Sequence, residues 1–291
     1  MKGRIIKGIA GFYYVYCENG NLYECKARGI FRKDKKKPLV GDACIIELID
    51  EDAGEGSIID LLPRKNELIR PNVANVDQAM IVFSIKDPVP SLLMLDKLII
   101  QYEKEGLPIV LVFNKEDLRE EGEAQRLRDV YKNSGCFCIM TSTVSGEGLA
   151  ELRELLKGKT TTVSGPSGVG KSSLINALLG DSFARTGALS EKTRRGKHTT
   201  RHSEIIPVFE DTYIIDTPGF GSFELYGVDT DEIKFYYKEF DIDVSCRFNP
   251  CSHTHEPGCG IKKMVEEGHI DKNRYENYLL IYDEMKSVRR Y

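Results

Sequence analysis

The sequence predicts a multidomain α/β chain in three parts. These are a five-stranded β-barrel of the oligonucleotide-binding (OB) type, a P-loop unit of alternating strands and helices, and a mainly helical, zinc-binding tail. Three observations predict it. Residues 1–65 alternate and turn often, with no helical period. Residues 66–222 carry apolar strand-like runs separated by amphipathic stretches. Residues 223–291 crowd Cys246, Cys251 and Cys259 with two histidines into one polar loop.

Bulk properties narrow the classes. A chain of 291 residues suggests two or three domains, and an apolar fraction of 41% is enough to build their cores. The net charge of −4 means that any nucleic-acid contact has to come from local basic patches. No run approaches the roughly 20 apolar residues of a membrane span, and the N-terminus lacks a signal-peptide pattern. A cytoplasmic monomer without a membrane partner is therefore expected. Of the eight cysteines, Cys17, Cys25, Cys44, Cys136 and Cys138 fall in apparent strands and are expected as buried thiols in a reducing compartment.

In the first part, strands are expected at Arg4–Ala10, Phe12–Cys17, Leu22–Ile30, Ala43–Ile49 and Ser57–Leu61. Asn19-Gly20 marks a tight hairpin between the second and third. Five short strands fit a small closed barrel. The loop from Arg32 to Lys37 is strongly basic and suits RNA phosphates, or simply solvent. Tyr13, Tyr14 and Tyr16 offer stacking surfaces for bases, with at least one of them expected in the core.

The second part begins with a buried strand, Gln78–Ser84, and a helix from Leu92 to Glu105 whose apolar stripe is Leu92, Leu95, Ile99 and Tyr102. The apolar strand Leu107–Phe113 ends in Asn114-Lys115-Glu116-Asp117. N-K-x-D at the end of a buried strand is a guanine reader. The Asp117 carboxylate accepts from guanine N1–H and the exocyclic amine together, and adenine would leave it unpaired. Asn114 holds the loop and meets the base, and the Lys115 stem packs over the ring. A helix at Glu121–Asn133 leads to strand Cys136–Met140, then Thr141 and Ser142, where a backbone amide reaches guanine O6. A helix at Leu149–Leu156 follows.

Thr160 to Gly180 reads as strand, glycine-rich loop and helix. The loop spells G-x-x-x-x-G-K-S across Gly165, Pro166, Ser167, Gly168, Val169, Gly170, Lys171 and Ser172. Its backbone N–H groups and the helix N-terminus at Ser173 suit a phosphate chain. Lys171 reaches the outer phosphates, and Ser172 offers a hydroxyl to Mg²⁺. This chain is read as binding GTP and GDP.

Residues 182–203 form a long, basic, aperiodic loop. Within it, Thr200 of His198-Thr199-Thr200-Arg201 is the preferred second hydroxyl for Mg²⁺ and the γ-phosphate. Strands Glu204–Val208 and Thr212–Ile215 run into Asp216-Thr217-Pro218-Gly219. There Asp216 supports Mg²⁺ from outside its ligand set, and the Gly219 N–H meets the γ-phosphate.

The motif order is diagnostic. Ordinary GTPases run from phosphate loop to switch threonine, D-x-x-G, N-K-x-D and the serine strand. Here N-K-E-D and T-S precede the phosphate loop, and H-T-T and D-T-P-G follow it. This is a circularly permuted GTPase. On these residues the chain resembles the bacterial small-ribosomal-subunit-dependent GTPases of the RsgA (YjeQ) family, across essentially its whole length. The resemblance implies an OB domain, a permuted GTPase and a zinc tail. It also implies GTP hydrolysis stimulated by the small ribosomal subunit and its rRNA, and a part in the subunit's late maturation.

In the tail, Asp229-x-x-Glu232 opens a helix expected through Phe240, and a last helix is expected from Lys272 onward. Between them, Cys246, Cys251, Cys259 and a histidine supply one closed, structural Zn²⁺ set. His253 and His255 compete for the fourth place; the family pattern implies His253. Phe220 stands where Ras-like enzymes place the glutamine that orients the attacking water. His198 is the best substitute in the chain, so Lys171, Thr200 and His198 are the expected catalytic residues.

Overall fold

The computed structural model describes residues 1–28, 37–69, 71–180, 204–209, 211–216 and 223–288. The expectations for Arg32 to Lys36, His198, Thr200 and Gly219 lie outside them. In chain order the strands are β1 (Lys2–Ile9), β2 (Phe12–Cys17), β3 (Leu22–Ala27), β4 (Ala43–Asp50), β5 (Glu55–Leu61), β6 (Glu67–Leu68), β7 (Val73–Ala74), β8 (Gln78–Ser84), β9 (Ile109–Asn114), β10 (Phe137–Met140), β11 (Thr160–Ser164), β12 (Glu204–Phe209) and β13 (Thr212–Asp216). The α-helices are α1 (Leu92–Lys104), α2 (Glu123–Tyr131), α3 (Leu149–Leu156), α4 (Lys171–Leu179), α5 (Gly260–Glu266) and α6 (Lys272–Val288). The chain divides into two compact units.

One unit comprises Met1–Gln78, Glu151–Ser164 and Ser172–Gly219. Its N-terminal strands close into a barrel in the order β1-β2-β3-β5-β4. β1 pairs antiparallel with β4, and β3 runs parallel to β5, which is OB topology. Gly20, at φ 80°, makes the β2–β3 turn that Asn19-Gly20 predicts. Ile5, Val15, Cys17, Tyr23, Cys25, Cys44, Ile46 and Ile58 fill the interior. Tyr13 packs against that core, while Tyr14 and Tyr16 alternate to the other face of β2.

Burial pushes the thiols of Cys17, Cys25 and Cys44 up to about 11, 12 and 12. Cys136 and Cys138 depart from the expectation of buried strand thiols. Both are only half-buried, and Cys136 precedes β10 rather than lying in it.

In the same unit β11 lies parallel to β13, and β12 returns antiparallel beside it. α4 buries Leu174, Ile175, Leu178 and Leu179. The barrel touches the β12–β13 hairpin through Lys7 Nζ, 3.1 Å from Glu204 Oε2. The Arg4 guanidinium also lies 4.7 Å from the Tyr213 ring centroid.

The other unit comprises Ala79–Ala150, Gly165–Lys171 and Phe220–Tyr291. Its parallel strands run in the order β10-β9-β8, and β8 and β9 are buried along their whole length. Continuous burial is what parallel strands covered on both faces require. α1 is capped by Ser91, whose Oγ accepts from the Met94 N–H at 3.4 Å. A single apolar stripe is expected on α1, yet every residue from Leu95 to Tyr102 is buried, including Asp96, Lys97 and Gln101. The C-terminal segment covers the second face. Ile100 joins its core with Ile233, Tyr237, Phe240, Tyr278 and Ile281.

The contact is polar as well. Arg274 Nη1 donates to Asp96, and its Nε and Nη2 reach Glu239 at 2.6 and 3.2 Å. Tyr131 OH and Asn277 Nδ2 each donate to Asp96 at 2.8 Å. The guanidinium lies 5.1 Å from the Tyr131 ring centroid and 4.4 Å from that of Tyr237. Burial alone would lower the Arg274 value, but the Asp96 and Glu239 carboxylates outweigh it and hold Arg274 charged. Lys97 Nζ adds an ion pair to Glu284 at 2.6 Å.

Replacing Arg274 by Met would leave two buried carboxylates without a cation. The expected cost is about 3–5 kcal/mol of unfolding free energy, read from the denaturant midpoint. Arg274→Lys keeps the charge but cannot fork between both carboxylates, so it should recover only part of this.

Two expectations for the tail are corrected. The helix expected through Phe240 is two 3₁₀ segments, Thr230–Tyr236 and Lys238–Phe240. Tyr237 interrupts it in an extended conformation, its ring turned in against Arg274, Phe240 and Tyr278. α5 was not expected; it starts directly after Cys259 and is too short to show a period. No helix among the described residues is long and apolar enough to cross a membrane.

Candidate nucleotide site and metal centre

The glycine-rich loop leaves β11 and enters α4. Gly165 has φ 143°, and a Cβ there would lie 2.0 Å from the Val82 carbonyl oxygen of β8. Gly170 has φ 93°, and its Cβ would lie 2.4 Å from Asn114 Nδ2. Both positions therefore demand glycine. Lys171 is buried, and its Nζ donates to the carbonyls of Gly165 and Pro166 at 2.7 and 2.6 Å. The ammonium is thus held against the loop itself. Ser172 and Ser173 are exposed on the first turn of α4.

Asn114 ends β9 fully buried. Its Nδ2 donates to the Val169 carbonyl at 3.0 Å, and its Oδ1 accepts from Thr141 Oγ1 at 3.1 Å. One side chain therefore ties N-K-E-D, T-S and the phosphate loop together within a single compact unit. Lys115 takes a left-handed conformation, φ 63°, and its Nζ donates to the Asp87 carbonyl. Asp117 sits exposed in a 3₁₀ turn, Glu116–Leu118, where its Oδ1 accepts from Ser142 Oγ. The Ser142 N–H donates to the Glu147 carbonyl at 3.0 Å. Ser142 thus acts on Asp117 through its hydroxyl, a role the sequence reading missed by assigning that strand end a backbone amide only. Asp216 ends β13, in register with Val163 of β11 and Glu204 of β12.

In the tail, Cys246, Cys251, His253 and Cys259 offer ligand atoms that all lie within 4.8 Å of one another. Cys246 Sγ is 3.9 Å from Cys259 Sγ and 3.6 Å from His253 Nδ1, which is 3.3 Å from Cys259 Sγ. Zn–S bonds of roughly 2.3 Å at tetrahedral angles span edges of about 3.8 Å, so the set fits that ion. His255 is exposed and outside the cluster.

Neighbouring groups shape the site. The Gly260 N–H donates to Cys246 Sγ at 3.3 Å. Burial opposes it, but this bond and the adjacent thiols keep Cys246 below the ordinary thiol value. Tyr275 OH donates to the His253 carbonyl at 2.7 Å. The Glu256 carboxylate accepts from Ser252 N–H and Oγ, both at 2.7 Å, and from Thr254 N–H at 3.0 Å. Burial raises its value, yet those donors hold it down at about 2. Glu256 and Gly260 were not singled out from the sequence. An acidic residue four positions after a serine in a ligand loop is the signal that was there.

Residues 61–226 match the model of the RsgA GTPase family, and residues 2–58 match that of the RsgA N-terminal domain. The chain belongs to the RsgA GTPase family. A "Small ribosomal subunit biogenesis GTPase RsgA" of Agathobacter rectalis is 49% identical, covering 100% of both chains. One from Caldanaerobacter subterraneus is 47% identical over 100% of this chain and 98% of its own. Among solved structures, YjeQ from Thermotoga maritima superposes with a TM-score of 0.80 at 37% identity, covering 98% of each chain. YloQ, described as a circularly permuted GTPase, gives 0.78 at 32% identity, covering 98% of this chain and 95% of its own. Family membership makes this chain a GTP hydrolase, and the motif order makes its fold the permuted one.

Proposed function

We propose that this protein binds the small ribosomal subunit and its rRNA, hydrolyses GTP when bound there, and so promotes late subunit maturation. The observation that carries the reading is the Asn114 link between the base-reading loop and the phosphate loop. It fixes the distance from base to phosphates that a guanine nucleotide must span. The names of the full-length relatives support the ribosomal part.

Asp117 reads the guanine edge, braced by Ser142, while Thr141 and Asn114 lock its loop and the Lys115 stem flanks the base. Gly165 to Gly170 present backbone amides to the phosphates, and Lys171 and Ser173 meet them at the helix start. Ser172 and Thr200 hold Mg²⁺, with Asp216 behind them and the Gly219 N–H on the γ-phosphate. Mg²⁺, when bound, neutralises the charge that develops between the outer phosphates. Zn²⁺ is held by Cys246, Cys251, His253 and Cys259 as a structural ion. The protein works as a cytoplasmic monomer.

Phe220 cannot orient water, so turnover alone should be slow, and small subunits should raise it strongly. His198→Ala is expected to keep GTP affinity and lose that stimulation. Single-turnover hydrolysis with and without purified subunits measures both. Full stimulation of the mutant removes His198 from the mechanism; an unstimulated wild type refutes the ribosomal reading.

A further inference from the structure

The barrel and the β12–β13 hairpin belong to one compact unit, and their contact is specific. β1 carries a bulge between Ile5 and Lys7 in its pairing with β2. Across it Ile5 and Ile6 are both buried, although neighbouring strand residues normally face opposite sides. Beyond the bulge, Lys7 stays paired with Tyr14 of β2 while its Nζ reaches Glu204 Oε2 at 3.1 Å. Three residues earlier, Arg4 lies over Tyr213 of β13 and donates to the Asn75 carbonyl at 3.1 Å. Arg4 and Lys7 of β1 thus grip both strands of one hairpin.

Glu204 stands directly opposite Asp216 in the β12–β13 register, and Asp216 stands opposite Val163 of β11. Residues opposed in an antiparallel pair project side by side from one face. Lys7 therefore holds the residue beside the aspartate that backs Mg²⁺, on the strand next to the one that leads into the phosphate loop. The Lys7 and Glu204 side chains are 26% and 19% exposed, so the pair itself adds little to stability. It fixes position. We infer that Lys7 is a positioning residue, through which engagement of the barrel by RNA sets Glu204 and Asp216 for subunit-stimulated hydrolysis. This rests on the proposed ribosomal function and names the element that transmits the stimulus.

The test uses the full chain with purified small subunits and compares wild type, Lys7→Met, Glu204→Gln and the swap Lys7→Glu/Glu204→Lys. Four quantities are read: basal turnover, subunit-stimulated kcat, subunit affinity with a non-hydrolysable GTP analogue, and Tm. The single variants should lose about tenfold or more of stimulated kcat, since small misplacements at a transferring phosphoryl group are costly. Basal turnover, affinity and Tm should stay near wild type, and the swap should restore stimulation. Full stimulation in the single variants overturns the inference. So does a loss that follows Tm or affinity and that the swap does not repair. An unstimulated wild type overturns the ribosomal reading and the inference with it, and is told apart by the wild-type measurement alone.

Discussion

Cys251→Ser, or chelation of the metal, is expected to unfold the chain from about Phe223 onward. Three thiols and an imidazole gather within 4.8 Å of one another at the edge of the tail's apolar cluster, so an ion that binds them ties that cluster together. Structural Zn²⁺ in small sites supplies about 10–16 kcal/mol of apparent binding free energy, which is folding free energy. The damage should not stop at the tail. Asp96 of α1 is wholly buried under Arg274, so losing the tail opens one face of that helix and strips the carboxylate of its cation. Circular dichroism should report loss of α5 and α6, and limited proteolysis should cut first after Phe223. GTP binding should weaken without vanishing, because Asn114, Asp117 and the phosphate loop share no ligand with the metal. Metal analysis returning well under one Zn per chain would count against the assignment.

Asp117→Asn should exchange guanine for xanthine. The carboxylate is exposed, with Oδ1 engaged by the Ser142 hydroxyl. An amide oxygen in the same place still accepts from Ser142, so the loop should keep its shape. The amide NH₂ then faces the two guanine donors, and two hydrogen bonds to a charged acceptor are lost. At about 1.5 kcal/mol or more each, that is a loss of roughly a hundredfold or greater in GTP affinity. Xanthine, with a 2-oxo group in place of the amine, should gain by a similar factor. Titration with GTP and XTP measures both directions. An unchanged GTP affinity with no gain for XTP would reject Asp117 as the base reader.

How much of this was legible in the sequence depends on how far apart the partners lie. The phosphate loop, N-K-E-D and the Asn19-Gly20 hairpin are local patterns, and each sits where its residues indicate. The barrel strands were legible where inward and outward residues alternate, as in β2 and β3, while the bulge in β1 interrupts that pattern. The second face of α1 was not. Its apolar stripe marks the side toward the sheet, and Asp96, Lys97 and Gln101 look like solvent-facing residues by periodicity alone. What buries them is a tail whose matching cation, Arg274, has no sequence proximity to Asp96. The break at Tyr237 has the same origin: local propensity continued the helix, and the ring instead packs beside that distant arginine. The interior of the metal loop was half legible. Thiol spacing announces the ligands, while the bracing by Glu256 depends on a turn that no periodicity describes.

The Asp96–Arg274 contact also sets a clock. The two residues are 178 positions apart, and Lys97 and Glu284 are 187 apart. A nascent chain emerging at about 5–20 residues per second would present α1 on the order of ten to thirty seconds before its covering partner is made. Throughout that interval the polar side of α1, with an aspartate designed for burial, faces water and whatever else is near the exit of the translating ribosome. The barrel meets no such delay, since its five strands close within Lys2 to Leu61. Synthesis therefore yields a finished OB module well before the segment that carries Cys246, Cys251, His253 and Cys259. The unit containing α1 reaches its native state only once α6 has been made.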